Sequence, residues 1–207
     1  MRKIKGYYFI TGNGLSRRGD ARDARQAVGK KVSVVQYRDK TASSAVLYRR
    51  ARELRRICSK TLFIVNDRVD IALAVDADGV HIGRDDLAIA AARKILGRKK
   101  IIGVSVSTVS QAAAAVAAGA DYLGVGPVYA TATKSDADKP TGVDLIRAIK
   151  DRFDIPVVAI GGITLDNAPA VIKAGADALC AISAVVAKPD AGVQIRKFQA
   201  LFSRAKL

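Results

Sequence analysis

Cationic and acidic side chains follow two apolar runs in the first third of the chain, and together they could hold a phosphorylated ligand and a divalent cation. The segment "VQYRDK" (35–40) carries Gln36, Arg38 and Lys40. Arg can fork onto phosphate oxygens, whereas Lys acts as a mobile point charge, and this combination suits a pyrophosphate. On this segment alone, an exposed turn that neutralises its own charge through Asp39 is an equal alternative.

Carboxylates at two further run ends could bind a metal ion. The run "LFIV" (62–65) leads into Asn66 and Asp67, and the segment "HIGRDDL" (81–87) carries Asp85 and Asp86. Mg²⁺ prefers one or two protein carboxylates, with phosphate and water completing its octahedron. Taken singly, each acid could instead cap the helix that follows it. Their occurrence at neighbouring run ends favours a shared magnesium ion.

Hydroxyl groups and a long loop indicate further ligand contacts. Ser105, Ser107 and Thr108 end the fifth apolar run, and Thr108 is the better candidate for a helix cap. The segment "PVYATATKSDADKPTG" (127–142) gathers donors at Thr131, Thr133 and Lys134. A loop of this length in a compact domain is usually functional.

A pair of glycines precedes the last part of the chain and could hold an anion. Gly161 and Gly162 end the segment "VVAIGG", and Ile182 and Ser183 follow the final apolar run. Glycine lets an anion approach backbone N–H groups closely, and helix N-termini favour such ligands. The sequence therefore predicts a phosphate site here, although a glycine pair alone is weak support for one.

His81 and the two cysteines do not suggest a nucleophile. His81 is the only histidine, and it lies inside an apolar run, where an interior or supporting role is more common than general-base catalysis. Cys58 and Cys180 have no CxxC partner, which is typical of small buried thiols. No Ser-His-Asp set can be assembled from these residues.

Eight apolar runs, each followed by an amphipathic stretch, must position these groups. The predicted strands are 7–11, 32–38, 62–67, 79–83, 101–106, 122–128, 157–161 and 178–183. The predicted helices include 43–58, 86–96, 109–118, 143–152 and 165–174. This alternation predicts an α/β fold with parallel strands, specifically a (βα)8 TIM barrel formed by one domain over residues 1–207, with an open doubly wound sheet as the alternative.

A local repeat supports the same division. The segments "AVDADGVHIG" (74–83), "AAGADYLGVG" (117–126) and "KAGADALCAI" (173–182) each contain a helix end, an Ala-Asp turn and a strand. Gly119 and Gly175 fit the left-handed residue that ends a helix. In a barrel of this kind, polar residues at the C-terminal strand ends surround the active site, so the groups above are expected at one mouth.

The composition limits the partners and the location. The formal charge of +16 on 207 residues suggests an anionic partner. Aromatic residues make up only 5% and Trp is absent, so a stacking platform for nucleic acid is not expected. With neither a membrane span nor a secretory signal in the sequence, we expect a cytoplasmic protein without membrane contact. The sequence leaves a homo-oligomer open.

These segments resemble the thiamine phosphate synthase family. The matching stretches are "VQYRDK" (35–40), "FIVNDRVDIAL" (63–73), "DGVHIGRDDL" (78–87), "IGVSV" (102–106), "ADYLGVGPVYATATK" (120–134), "PVVAIGGIT" (156–164) and "AISAV" (181–185). They occur in order over nearly the whole chain. Two positions depart from the family pattern, because Gly12 stands where Asp is common and Ser107 where His is frequent.

The resemblance implies two phosphorylated small-molecule substrates and a Mg²⁺ cofactor. Residues implied to border the pyrimidine pyrophosphate are Gln36, Tyr37, Arg38, Asp39, Lys40, Asn66, Ser105 and Lys134. Those implied to hold the thiazole phosphate are Thr131, Ala132, Thr133, Gly162, Ile182 and Ser183. Asp67 and Asp86 would bind Mg²⁺, and Arg38, Lys40, Ser105 and Lys134 would act in catalysis.

The implied reaction condenses hydroxymethylpyrimidine pyrophosphate with hydroxyethylthiazole phosphate. Family chemistry indicates a dissociative displacement of pyrophosphate, which needs no strong enzyme nucleophile. The related thiazole tautomerases share the barrel but need neither the metal acids nor the pyrophosphate cations, so the presence of both sets argues against that alternative. A basic nucleic-acid-binding barrel remains the alternative from another class.

Overall fold

The computed structural model describes residues 4–12, 14–131, 133 and 139–204, and its sheet is a closed barrel. The eight parallel strands lie in chain order, and β1 pairs with β8 to close the ring. The strands are β1 Gly6–Ile10, β2 Val34–Tyr37, β3 Leu62–Asn66, β4 Gly79–Ile82, β5 Ile101–Val106, β6 Tyr122–Val125, β7 Val157–Ile160 and β8 Ala178–Cys180. The predicted (βα)8 barrel is confirmed, and the open sheet is not.

Helices follow each strand. They are α1 Asp20–Gly29, α2 Ser44–Ile57, α3 Val69–Ala74, α4 Ile89–Leu96, α5 Val109–Ala117, α6 Asp144–Lys150, α7 Ala168–Lys173, α8 Ile182–Val186 and α9 Ala191–Arg204. Gly119 and Gly175 follow the ends of α5 and α7 with φ of 87° and 100°, as predicted for the residue that closes a helix. Within the described residues, no helix combines the length and apolar character needed to cross a bilayer.

Two strand predictions extended three residues past the observed C-terminal ends. The strand predicted over 122–128 ends at Val125, and Pro127, which has no N–H to donate, follows soon after. The strand predicted over 178–183 ends at Cys180, because Ile182 already begins α8. Both strand ends lie at the mouth of the barrel. Beyond them the backbone is no longer paired in the sheet, so its polar groups can contact a ligand.

Continuous apolar runs bury both faces of each strand. In β3, Leu62 and Ile64 pack inside the barrel, whereas Phe63 and Val65 pack against the surrounding helices. Side chains alternate between the faces of a strand, so a strand covered on both sides must be apolar throughout. The same burial accounts for Cys58 and Cys180, which are free buried thiols, as predicted.

The repeated Asp of the Ala-Asp turns has a structural role at the N-terminal end of the barrel. Asp78, Asp121 and Asp177 each accept a backbone N–H from the first residues of the preceding strand, at 2.8 Å in every case. Each also lies beside a cation from a helix; for example, Lys150 Nζ lies 3.0 Å from Asp177 Oδ2. The repeat therefore ties strands together at the end opposite the predicted site.

Candidate active site

A cavity of about 1080 Å³ opens at the C-terminal ends of the strands and collects most of the predicted site residues. Those that line it are Gln36, Arg38, Lys40, Asn66, Asp67, Asp86, Ser105, Thr131, Thr133, Gly162, Ile182 and Ser183. Two further predicted residues, Ala132 and Lys134, lie outside the described residues. Every other predicted site residue lies at this one mouth, as expected, except two residues at the end of β2.

Tyr37 and Asp39 do not line the cavity. Tyr37 is 1% exposed and packs between the sheet and the helices, because its neighbours Gln36 and Arg38 occupy the inward positions of β2 and its extension. Asp39 accepts hydrogen bonds from the backbone N–H groups of Thr41 and Ala42, at 3.0 and 3.1 Å. Asp39 therefore shapes the turn that carries Lys40.

The turn after β2 presents the two cations to the cavity. Asp39 also forms an ion pair at 3.0 Å with Arg50 of α2, so a helix residue outside the cavity balances the charge of its carboxylate. The pKa of Asp39 is accordingly lowered, because hydrogen bonds and the Arg50 charge outweigh the effect of burial. Asp39 is therefore paired with Arg50 rather than with Arg38 or Lys40, and the self-neutralised turn is not what the structure shows.

Asp67 and Asp86 meet at the ends of β3 and β4. Asp86 Oδ2 accepts the backbone N–H of Gly83 at 2.7 Å, which turns this carboxyl toward the mouth. Burial and the neighbouring Asp86 carboxyl raise the pKa of Asp67 to about 6, while the charges of Lys40 and Arg38 oppose that rise. A buried carboxyl whose ionisation is opposed by a neighbouring acid marks a place where a bound cation would be favoured.

Neither acid caps a helix. The N-cap residue of α3 is Arg68 and that of α4 is Ala88, and neither helix has a side-chain cap. Asp67 has a φ of 61°, in the left-handed region that non-glycine residues rarely adopt. Such strain is common at ligand sites. By contrast, Thr108 caps α5 as predicted, since its Oγ1 accepts the Gln111 N–H at 3.1 Å.

A hydrogen-bonded chain of five side chains, here called the polar relay, lies at the floor of the cavity. It runs from Ser105 through His81, Tyr122 and Tyr8 to Gln36, with distances of 2.9, 2.9, 2.8 and 2.9 Å. Burial lowers the pKa of His81 to about 4, so the ring is neutral at pH 7. His81 thus has the interior, supporting position that the sequence predicted, and Tyr8 and Tyr122 were not predicted.

The ends of β7 and β8 form the opposite wall of the mouth. Gly161 and Gly162 have φ of 100° and 61°, and a Cβ on Gly162 would come within 2.4 Å of Ala130 O. Only glycine fits there. Thr131 and Thr133 lie in the neighbouring loop, where Thr131 Oγ1 accepts the Thr133 N–H at 3.2 Å. Ile182 and Ser183 form the first turn of α8 at this wall, and the first N–H groups of a helix have no acceptor within the helix.

The two departures from the family pattern have local explanations. A Cβ on Gly12 would lie 2.9 Å from both Ser16 N and a methyl carbon of Val186, so this backbone leaves no room for a side chain. Ser107 donates its backbone N–H to Gln111 Oε1 at 2.7 Å and still lines the cavity. The hydroxyl therefore occupies the wall where the family frequently has an imidazole.

Several cavity-lining residues were not predicted from the sequence. They include Arg84, Thr164 and Lys188. Arg84 precedes the two acids of the "HIGRDDL" segment, and its basic side chain next to a predicted strand end was the available signal. Lys188 lies beyond α8, and its sequence position gave no comparable indication.

The donor set suits a hard cation held by few protein ligands. In the part of the chain that the structure describes, no three His, Cys, Asp or Glu side chains cluster around a common point. Zinc sites usually need three or four such ligands, whereas Mg²⁺ needs one or two carboxylates and takes the rest from phosphate and water. Asp67 and Asp86 fit the second pattern.

Comparison with known proteins gives a consistent result. The family model described as thiamine monophosphate synthase matches residues 7–185. A thiamine-phosphate synthase from Methanosarcina barkeri is 48% identical over 201 residues, which cover 97% of this chain and 91% of that protein. One from Methanospirillum hungatei is 52% identical over 177 residues, covering 84% of this chain and 86% of that protein.

A solved structure agrees with these sequence matches. The thiamine phosphate pyrophosphorylase from Pyrococcus furiosus superimposes with a TM-score of 0.90 at 38% identity and covers 98% of both chains. The family match extends over the strands that carry the cavity wall from Gln36 to Ser183. The chain therefore belongs to the thiamine monophosphate synthase family and is a transferase.

Proposed function

We propose that the chain condenses hydroxymethylpyrimidine pyrophosphate with hydroxyethylthiazole phosphate to give thiamine phosphate and pyrophosphate. The observation that supports this most is that candidate anion ligands lie on two opposite sides of the mouth. Arg38, Lys40 and the acid pair lie at the ends of β2, β3 and β4, whereas Gly162 and Ser183 lie at the ends of β7 and β8. In an eight-stranded ring, β3 and β7 are opposite each other.

The first wall would bind the pyrophosphate. Arg38 and Lys40 would pair with its oxygens, and Asp67 and Asp86 would hold Mg²⁺. When bound, Mg²⁺ would supply positive charge to the leaving pyrophosphate. Lys40 Nζ lies 3.6 Å from Asp67 Oδ2. The Lys40 ammonium group and a metal ion held by Asp67 would therefore be close enough to contact the same diphosphate group.

The second wall would bind the thiazole phosphate through Thr131, Thr133, Gly162 and Ser183. In the reaction, the bond between the pyrimidine methylene carbon and the pyrophosphate oxygen breaks, and its electron pair leaves with pyrophosphate. The thiazole nitrogen then forms the new C–N bond with its lone pair. The protein's contribution is to neutralise the leaving group and to hold the nitrogen in line, so charge and position provide the rate.

The proposal is tested by incubating the purified chain with both phosphorylated heterocycles, with and without Mg²⁺. Thiamine phosphate and pyrophosphate should form in equal amounts, and chelation of the metal should stop the reaction. Isomerisation of the thiazole precursor, in a separate incubation, with no condensation of the two phosphorylated heterocycles would instead show a tautomerase. Formation of neither product would remove the proposal.

A further inference from the structure

The polar relay connects two residues of the cavity through the barrel interior. Its five members come from β5, β4, β6, β1 and β2 in that order, so the chain of hydrogen bonds crosses most of the floor. Ser105 and Gln36, the two ends, line the cavity and belong to the proposed pyrimidine side. The three members between them are His81, Tyr122 and Tyr8.

An assignment in which every buried hydroxyl proton of the relay has an acceptor makes all its hydrogen bonds run in one direction. Gln36 Nε2 donates to the Tyr8 hydroxyl oxygen. Either hydroxyl could donate in the Tyr8–Tyr122 bond, and Tyr8 must do so if its own proton is to have an acceptor within the relay. In that assignment Tyr122 donates in turn to His81 Nδ1, a contact whose roles depend on the imidazole tautomer. A neutral imidazole that accepts at Nδ1 carries its proton at Nε2, and it donates that proton to Ser105 Oγ.

This direction sets the character of both ends. Because Ser105 Oγ accepts from His81, its own proton is free to donate into the cavity. Because Gln36 uses its amide nitrogen on Tyr8, its remaining amide atom, Oε1, is an acceptor. Reversing the Gln36 amide would reverse every bond and exchange the two characters. In either direction, the Ser105 hydroxyl and the Gln36 amide atom outside the relay take complementary roles: Ser105 donates when that amide atom is an oxygen, and accepts when it is a nitrogen.

The surrounding strands are built to seat the two central rings. A Cβ on Gly103 would come within 2.0 Å of Tyr122 Cζ, and a Cβ on Gly124 would lie 2.8 Å from His81 Cε1. Tyr8 and Tyr122 are 1% and 0% exposed, so solvent does not replace their hydrogen bonds. A broken link would thus leave a buried hydroxyl without its partner, which is costly.

We propose that His81, Tyr122 and Tyr8 are positioning residues that fix Ser105 as a donor and Gln36 as an acceptor toward the substrate. The matching ligand is a ring edge that offers an acceptor nitrogen to Ser105 and a donor group to Gln36. The choice of ligand rests on the proposed function, whereas the direction of the relay does not. Substrate rings with the reverse pattern of donor and acceptor would be rejected.

The direction of the relay can be measured on the free full-length protein, because His81 is its only histidine. Nitrogen NMR of the imidazole at pH 7 should show one neutral tautomer, with the proton at Nε2. Tyr122→Phe removes the donor to Nδ1 and should produce a mixture of tautomers, and Tyr8→Phe should do so as well. Tyr7→Phe is the matched control, since Tyr7 is a buried phenol that donates to Ala181 O, outside the relay.

A kinetic measurement separates positioning from a merely structural role. Tyr122→Phe should lower kcat/KM for the pyrimidine substrate by about fivefold, the effect of one misdirected neutral hydrogen bond, and leave KM for the thiazole substrate unchanged. Tyr7→Phe should change neither value. If KM for the thiazole substrate rose in Tyr122→Phe as much as KM for the pyrimidine substrate, the result would indicate general damage and overturn the inference.

The outcomes for the relay and for the proposed function are distinguishable. A proton at Nδ1 in the wild-type chain overturns the proposed direction, whatever the enzyme does. An unchanged tautomer in both Tyr122→Phe and Tyr8→Phe overturns it too. If Tyr122→Phe does not fold, the wild-type spectrum and Tyr8→Phe decide. A chain with the expected tautomers and no condensation activity would support the relay and remove only the proposed function.

Discussion

Lys40 Nζ and Asp67 Oδ2 lie 3.6 Å apart, across the gap between the loops that follow β2 and β3. The Asp67 side chain is 21% exposed and that of Lys40 is 47% exposed, so the pair sits at the mouth rather than in bulk solvent. Under the proposed function, the two groups neutralise each other only until the substrate arrives. Lys40 would then turn to the phosphate oxygens and Asp67 to the metal ion.

Replacing Asp67 by Asn should sharply lower turnover. The amide has the same shape but no charge, and loss of several kcal/mol of metal-dependent stabilisation corresponds to about 100-fold or more in kcat. Asp70→Asn is the control, because Asp70 is an exposed acid that pairs with Arg68 at 2.6 Å. Initial rates at increasing Mg²⁺ concentration measure the effect. Asp67 would not be a ligand if its Asn variant kept the wild-type Mg²⁺ dependence.

Replacing Gly162 by Ala should weaken binding of the thiazole phosphate. The new Cβ would lie 2.4 Å from Ala130 O, and φ at this residue is 61°, so the wall must shift. Gly97→Ala is a control for backbone strain, since φ there is 74° and a Cβ would meet nothing within 4 Å. Strain alone costs about 1–2 kcal/mol in either variant.

Two measurements distinguish the variants. Thermal unfolding should show a loss of stability for both, whereas KM for the thiazole phosphate should rise several-fold only for Gly162→Ala. Equal KM values in the two variants would mean that the β7 wall does not bind this substrate.

His81 should make the protein less stable in mild acid. Its folded pKa of about 4 is below the ordinary value of 6.5, so between these values the unfolded chain binds a proton that the folded chain does not. The contribution of neutral His81 to the free energy of unfolding is fully present above pH 6.5 and decreases as the pH falls toward 4. Its upper limit is about 3 kcal/mol, from 1.36 kcal/mol per pKa unit.

Asp67 acts in the opposite direction and must be separated from this effect. The pKa of Asp67 in the folded chain is raised from 3.8 to about 6. Its contribution to the free energy of unfolding therefore increases as the pH falls from about 6 toward 3.8. Denaturant unfolding at pH 5 and pH 7 should therefore be compared between the wild type and His81→Gln. The variant should lose less stability between the two pH values. The same loss in both proteins would rule out the assigned role of His81.

The charge of +16 should accelerate encounter with the two anionic substrates. Added salt screens such steering, with a Debye length of about 10 Å at 0.1 M. We expect kcat/KM to fall as ionic strength rises and kcat at saturation to change less. Neutral osmolyte at matched viscosity is the control for diffusion. Catalytic efficiency that is independent of ionic strength would show that the charge serves another purpose.

The fold and the location of the site follow from local patterns. Runs such as 62–67, apolar on both faces and ending in polar residues, indicated a covered parallel sheet and the end at which chemistry takes place. Asp67 and Asp86 could be paired for the same reason, since consecutive strands of a barrel are neighbours. The capping alternative for Asp67 could not be excluded without knowing that α3 begins only after Arg68.

Other features depend on geometry that the sequence does not display. The segment 35–40 presents four polar residues and a tyrosine, and only the alternation along β2 shows that Tyr37 and Asp39 leave the cavity while Gln36 and Arg38 enter it. Tyr8 and Tyr122 are 114 residues apart, and each resembles an ordinary core residue until closure brings their hydroxyl groups within 2.8 Å.

Closure of the sheet has a mechanical consequence for the substrates. Every strand is held by a neighbour on each side, including β1 by β8, so the wall at β2–β4 cannot swing toward the wall at β7 and β8. Under the proposed function, the separation of the strand ends that would hold the two phosphorylated groups is thus set by the protein before either molecule enters. The two heterocycles would then have to bring their reacting atoms together within that fixed separation.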